Sequence, residues 1–322
     1  MSKYKQELLS YLLAHQLDYV SGQKLAEHFN ISRTAIWKVI ESLKSQGYQF
    51  ESINNKGYRI TSLPNHWDSD LLSYLLQDSI FQQQFVFEEV TSTQTVAHEL
   101  SMKYDEPLII LSELQTAGRG RFKRPWDSKA DKGLWMSLVM HPNISYQQIA
   151  TFNLFMSIAI AEAIKKVAQL DPKIKWPNDI YINNKKICGF LTEIAGDSDG
   201  VHTIICGIGI NINHTHEDFD EKLRQTATSL KIESKAILNR YTFIETLIES
   251  IEQYYKLFLT QPFSEVKGVY KSYSMIWDRI LRYTEGDKQI YGKAIDLKDD
   301  GVLVVLDDTG ELHQFISADI EV

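Results

Sequence analysis

Apolar residues follow two different periods in different parts of this chain, and that difference limits what it can fold into more than any other feature. Leu8, Leu9, Leu12 and Leu13, then Ile36, Val39, Ile40 and Leu43, recur every three or four positions, as in helices that bury one stripe. From residue 85 onward FVFEEV, PLIILSELQ, LWMSLVM, DIYINNKKICGFLTEI and TIICGIGININ are strand-like, and NNKK supplies a turn within the fourth. Two stretches of helical periodicity, FNLFMSIAIAEAIKKVAQL and NRYTFIETLIESIEQYYKLFLT, lie among them. At 322 residues the chain is too long for one ordinary core, which predicts two or three domains.

Charge is also unevenly divided along the chain. The formal net charge is -8, yet residues 1–60 hold eight Lys/Arg against five Asp/Glu, leaving 26 against 37 for the rest. A basic end on an acidic body points to a small nucleic-acid module joined to something else. The start, MSKYKQELLSYLL, lacks the unbroken apolar run of a secretory signal, and no later run reaches membrane-spanning length. A soluble, cytoplasmic protein with no membrane partner is expected. Cys188 and Cys206 sit in apolar runs without CxxC spacing, as buried free thiols do.

Within the first sixty residues Ser21 can cap a helix over GQKLAEHF and Ser32 a second over RTAIWKVIESLKSQG, ended by Gly47. Helix, short turn, helix is the helix-turn-helix pattern, and YQFESINNKGYRI then alternates like a hairpin around NNKG. The whole reads as a winged helix. Ser21, Ser32, Arg33, Thr34, Trp37, Lys38 and Lys56 are its candidate DNA contacts, with Arg59 available to phosphates. The modest charge excess favours two copies on an operator with two-fold symmetry. A three-helix interaction domain with a solvated charged face is the alternative.

The central region mixes strands and helices in an α/β or α+β domain after a proline-bearing linker at residues 61–66. Its most unusual stretch is GRGRFKRPW, residues 118–126. Gly118 and Gly120 permit close backbone approach, Arg119, Arg121 and Arg124 offer fork-shaped donors for phosphate or carboxylate, and Trp126 offers a face for a purine. Neither GxxxxGK[ST] nor GxGxxG is present, and a solvated basic loop or a second nucleic-acid contact stays open on this stretch alone. TSTQ (91–94), KWPND (175–179) and Lys186 add hydroxyls, an amide, two lysines and a carboxylate.

Taken together, TSTQ, Gln115 ahead of GRGR, KWPND, KKICG and GIGININ behind a winged helix resemble the bifunctional biotin protein ligases that also repress biotin genes. The resemblance spans nearly the whole chain. It implies a multidomain α+β protein: a winged helix-turn-helix over 1–62, a mixed α/β ligase domain over 67–270, and an SH3-like β-barrel over 274–322. It also implies adenylation of biotin by ATP with Mg²⁺, then transfer of the biotinyl group to a lysine of the carrier domain of acetyl-CoA or pyruvate carboxylase. A homodimer formed on ligand binding and a biotinyl-AMP corepressor belong to the same expectation.

By position, the resemblance places Ser92, Thr93, Gln94 and Gln115 at biotin, with Arg119, Gly120, Arg121 and Lys186 at its carboxyl group. Arg121, Arg124 and Trp126 are placed at the nucleotide, and Lys175 and Asp179 join Arg119, Arg121 and Lys186 as the catalytic set. It names no metal ligand. Some members carry glycine where this chain has Lys123, and asparagine where it has Gln94. GIGININ could be close packing at the sheet centre or a wall of the pocket. At the C-terminus RILRYTEG, QIYGKAID, GVLVVLDD and ELHQFIS read as short strands with turns at DKQ, DDG and DDTG. A ligase for lipoate or octanoate, and a ligand-sensing repressor without chemistry, are the rival readings.

Overall fold

The computed structural model describes residues 2–286 and 288–321. They form two compact units that divide after Gln77.

In the first unit, helices α1 (Ser2–Ala14), α2 (Gly22–His28) and α3 (Arg33–Ser45) precede an antiparallel hairpin of β1 (Gln49–Ile53) and β2 (Gly57–Ser62). Both expected caps form: Ser21 Oγ accepts from Lys24 N and Ser32 Oγ from Ala35 N, each at 3.1 Å. The predicted stripe of Ile36, Val39, Ile40 and Leu43 is buried. Gly57 closes the hairpin at φ 114, and a Cβ there would stand 2.0 Å from Val20 O, so no other residue fits.

The unit does not end at the expected linker. Asp68 caps a further helix, α4 (Ser69–Leu75), which buries Leu71 and Leu72, and Asp70 meets Lys5 Nζ at 2.9 Å on α1. Two adjacent leucines have to be covered, and α1 is the surface that covers them.

The second unit is built on a seven-stranded sheet. Its strands are β3 (Gln83–Val90), β4 (Leu108–Gln115), β5 (Gly133–Met140), β6 (Lys173–Lys175), β7 (Asp179–Ile182), β8 (Lys185–Asp197) and β9 (Gly200–Asn211). Their spatial order is β3-β4-β5-β9-β8-β7-β6, and only the β3/β4 pair is parallel. That pair requires a crossover, supplied by α5 (Thr93–Ser101), a helix that the sequence marks only through the TSTQ motif at its start. The long helix α6 (Ile149–Ala168) is buried along most of its length. Phe152 and Phe155 of α6 pack on Phe258 of a second long helix farther along the chain.

After β9 come the short helices α7 (Leu223–Thr226) and α8 (Leu230–Ser234), then that second long helix, α9 (Arg240–Thr260), and α10 (Lys267–Tyr273). The NNKK turn forms at Asn183 and Asn184, both at positive φ, which asparagine tolerates better than most residues.

The C-terminal part of this unit is a five-stranded antiparallel sheet of β10 (Ile280–Glu285), β11 (Lys288–Leu297), β12 (Leu303–Asp307), β13 (Leu312–Phe315) and β14 (Asp319–Glu321), in the order β13-β12-β11-β10-β14. Turns form at Gly301 and Gly310, as DDG and DDTG suggest, both at φ 85. The expected DKQ turn includes Asp287, which lies outside the described residues, and β11 already begins at Lys288. The last strand, β14, was not read from the sequence; it pairs with β10 and carries Asp319 beside the sequence-predicted basic loop.

Candidate functional site

In the first unit the outward side of α3 presents Arg33, Thr34, Trp37 and Lys38, all exposed, and Trp37 shows 51% of its surface. A tryptophan left that open on a capped helix is available to a partner rather than to the core. Ser21 and Ser32 spend their oxygens on the caps. Lys56 is exposed at the hairpin tip, whereas Arg59 is not available as expected: its Nη2 lies 2.6 Å from Glu51 Oε2 and its guanidinium 4.7 Å from the Tyr19 ring centroid.

The second unit encloses a cavity of about 400 Å³. Two chemically different groups of side chains line it. One is polar and uncharged. Because α5 starts immediately after β3, with Ser92 as its cap, Ser92, Thr93 and Gln94 are held in the first turn with little exposure. Gln115, at the end of β4, accepts from Thr93 N at 2.8 Å and donates to Ser128 Oγ at 2.8 Å. Ser137 of β5 lies 2.9 Å from Thr93 Oγ1 and 3.1 Å from Gln94 Oε1, and Gln94 Nε2 donates to Ile205 O at 3.2 Å. Gln94 is thus committed to the sheet and to Ser137. Ser128 and Ser137 were missed, since single serines in loops and strands carry no sequence signal.

The GIGININ strand supplies the space for this arrangement. A Cβ on Gly207 would stand 2.4 Å from Gln94 Oε1, and one on Gly209 2.5 Å from Trp126 Nε1. Both glycines of the motif therefore make room for side chains at the cavity, which unites the packing and ligand readings of that strand.

The other group is charged. Register pairs Lys175 of β6 with Asp179 of β7, and the β7/β8 hairpin returns Lys186 to the same carboxylate. Asp179 Oδ1 lies 2.7 Å from Lys186 Nζ and Oδ2 3.4 Å from Lys175 Nζ. Burial pulls the Lys175 ammonium pKa down, but Asp179, Tyr181 and Asp319 outweigh it and hold the pKa above its ordinary value. Lys186 also stands 5.3 Å from the Trp126 ring centroid.

The loop over these groups closes on itself: Trp126 N donates to Gly118 O and Gly120 N to Arg124 O, each at 2.8 Å. Lys123 adopts φ 57, a left-handed conformation that glycine adopts freely. Arg121 turns inward. Its Nη1 donates to Asn178 Oδ1 at 2.8 Å, Asn178 is itself fixed by donating to Phe190 O, and Nη2 reaches Ser317 Oγ. Burial lowers the Arg121 pKa, although an arginine stays protonated. Arg124 Nη2 lies 2.5 Å from Asp319 Oδ2. Arg119 departs from the group and points to Glu193, 3.5 Å away, a carboxylate also held by His98 Nε2 at 2.8 Å.

Asn178, Ser317 and Asp319 extend the sequence-predicted set. Asn178 stood inside the quoted KWPND motif, but Ser317 and Asp319 lie nearly 200 residues from GRGR and no local pattern links them. Among the described residues the one group of three metal-ligand side chains, Asp307, Glu311 and His313, belongs to the C-terminal sheet. There Asp307 is engaged by Thr309, Glu311 N and His313. Cys188 and Cys206 are free and buried as expected, and burial pushes the Cys206 thiol up to about 12, so neither serves as a thiolate.

The helix-turn-helix unit and the cavity-bearing domain each match a known family. Residues 86–211 match the biotin/lipoate A/B protein ligase family, residues 5–59 an HTH domain, and residues 280–322 the biotin protein ligase C-terminal domain. The bifunctional ligase/repressor BirA of Bacillus spizizenii is 35% identical over 322 residues, covering 99% of each chain, and that of Bacillus subtilis is 36% identical over 306 residues, covering 94% of each. The biotin protein ligase of Aquifex aeolicus, solved in complex with biotin and ATP, aligns with a TM-score of 0.65 at 27% identity over 75% of this chain and 98% of that one. This chain belongs to the family of bifunctional biotin ligase/repressors. No described helix is long and apolar enough to cross a membrane.

His214, just past GIGININ, also lines the cavity and was missed. Its ring stacks on Phe219 at 5.1 Å and its Nδ1 has no partner. Burial, with Lys129 and Lys132 nearby, outweighs Asp218 and lowers its pKa from 6.5 to about 4. Between those two pH values the unfolded chain binds a proton that the folded chain does not, so this group removes stability as pH falls through the window. The loss is about 1.4 kcal/mol per pH unit at most. Urea denaturation from pH 7 to 4.5 is expected to show a shallower decline for His214→Asn than for the unmodified protein.

Proposed function

We propose that this protein joins biotin to a carrier-protein lysine at the expense of ATP and represses biotin genes through its winged helix. The observation that carries the enzymatic half is the two-part cavity. A ureido ring needs hydrogen-bond donors and acceptors without charge, which Ser92, Thr93 and Gln115 offer. A carboxylate attacking the α-phosphate of ATP brings like charges together, and the cavity-lining cations Arg121, Arg124, Lys175 and Lys186 could offset that charge.

The first step forms a bond between the biotin carboxylate oxygen and the α-phosphorus and breaks the bond to the β-phosphate oxygen. Biotinyl-5'-AMP and pyrophosphate result. Lys186, near both Asp179 and the Trp126 ring, would meet the carboxylate and the α-phosphate, and Trp126 would stack on adenine. Arg121 and the 118–126 loop shield the mixed anhydride from water. In the second step an uncharged acceptor lysine attacks the acyl carbon, AMP leaves with the bonding pair, and the amide forms with loss of a proton.

Magnesium enters this reading as the companion of the nucleotide. The cavity carboxylates Asp127, Asp179 and Asp319 each have a cation within 4 Å, so the donor set suits a metal held mainly by the nucleotide's own phosphates. Its chemistry there is to neutralise phosphate charge.

Residues 2–77 take the DNA half, with Arg33, Thr34, Trp37 and Lys38 toward base edges and Lys56 toward phosphates. Two copies on a symmetric operator, brought together by bound adenylate, complete the switch in the cytoplasm, provided the adenylate binds the dimeric state more tightly.

Two measurements test these halves. Labelled pyrophosphate is expected to enter ATP in the presence of biotin and Mg²⁺; exchange with lipoate alone would assign the sister activity, and exchange with neither acid would remove the ligase reading. Affinity for a palindromic duplex is expected to fall steeply with added salt. A flat titration would contradict the DNA reading.

A further inference from the structure

Three of the four cations assigned above to the nucleotide's phosphates are already occupied by one short segment of the C-terminal sheet. Arg121 Nη2 donates to Ser317 Oγ, Arg124 Nη2 meets Asp319 Oδ2 at 2.5 Å, and Lys175 Nζ donates to Ile320 O at 3.2 Å. A hydroxyl, a carboxylate and a carbonyl present these cations with the same oxygen lone pairs that phosphates bring. Lys186 is outside this set, its ammonium lying against Asp179 and over the Trp126 ring.

We infer that residues 317–320 act as an internal substitute for the nucleotide's phosphates, and that Asp319 is the competing charge an incoming triphosphate must displace from Arg124. The inference rests on the nucleotide reading of the cavity and adds a residue that governs how tightly that nucleotide is held.

Two carboxylates touch the cationic group, and their surroundings separate their roles. Asp179 engages a lysine on each oxygen and its side chain is only 15% exposed, so it stays in place as part of the frame. Asp319 is 27% exposed, and its one close ionic partner, Arg124, is 64% exposed. An ion pair that open contributes little and is readily exchanged for a multiply charged ligand. Asp319 also sits at the start of a three-residue edge strand paired only to β10, and it lines the cavity. Its charge therefore opposes phosphate binding while its displacement disturbs few other bonds. Asp319 acts through Arg124 as a positioning residue and takes no part in bond making.

The test is titration calorimetry of the full-length protein with ATP and, separately, with biotin, for the unmodified protein, Asp319→Asn and Asp319→Glu. Asp319→Asn is expected to bind ATP about five- to tenfold more tightly, because a like charge beside the phosphates is removed. Its biotin affinity should stay within about twofold, and Asp319→Glu should restore the lower ATP affinity. In pyrophosphate exchange the same change should appear as a lower KM for ATP rather than a higher kcat. Weaker or unchanged ATP binding in Asp319→Asn, or parallel changes for ATP and biotin, would overturn the inference. Unmodified protein that binds biotin but no ATP would instead overturn the nucleotide reading beneath it.

Discussion

Asp179 holds a lysine on each of its carboxylate oxygens, and the charged half of the cavity is arranged around that contact. Lys175 and Lys186 would repel each other if both were brought to one carboxylate-sized space without an anion between them. The β6/β7 and β7/β8 pairings deliver all three residues to one place through backbone register. No mobile loop is needed to assemble them. The carboxylate then keeps Lys175 protonated despite its burial, so positive charge is present before a ligand arrives.

The rest of the site is built outward from that frame. Asn178, between Lys175 and Asp179 in the β6/β7 connection, hands Arg121 an oxygen while its own amide is tied to Phe190 O. Gly189 and Gly209 leave the space in which Trp126 lies beside Lys186. The C-terminal sheet completes the arrangement through Ser317, Asp319 and Ile320. A region that sequence alone presents as short strands and turns thus reaches into the charged half of the cavity with its last strand.

Much of this was legible in the sequence where the signal is local. The caps at Ser21 and Ser32, the stripe on α3, the NNKK turn and the convergence of TSTQ, Gln115, Lys175, Asp179 and Lys186 each depend on residues a few positions apart or on motifs with a fixed order. What stayed hidden depends on tertiary placement. α4 exists because Leu71 and Leu72 find α1, and β14 is three residues long and recognisable only beside β10. Arg119 and Arg121 look equivalent in GRGR, yet one meets Glu193 on the sheet and the other Asn178 and Ser317. Arg59, read as free for phosphate, is taken by Glu51 across the hairpin, where Cα register makes the two residues direct partners.

The most direct measurement is Asp179→Asn, compared with the unmodified protein for biotin affinity by calorimetry and for biotin-dependent pyrophosphate exchange. If this carboxylate organises the cations, exchange should fall about 100-fold or more while biotin affinity changes by less than about fivefold, since the uncharged pocket is built from other elements. Exchange that persists near the unmodified rate, with both lysines intact, would contradict the account and show that Lys175 and Lys186 hold their places without it.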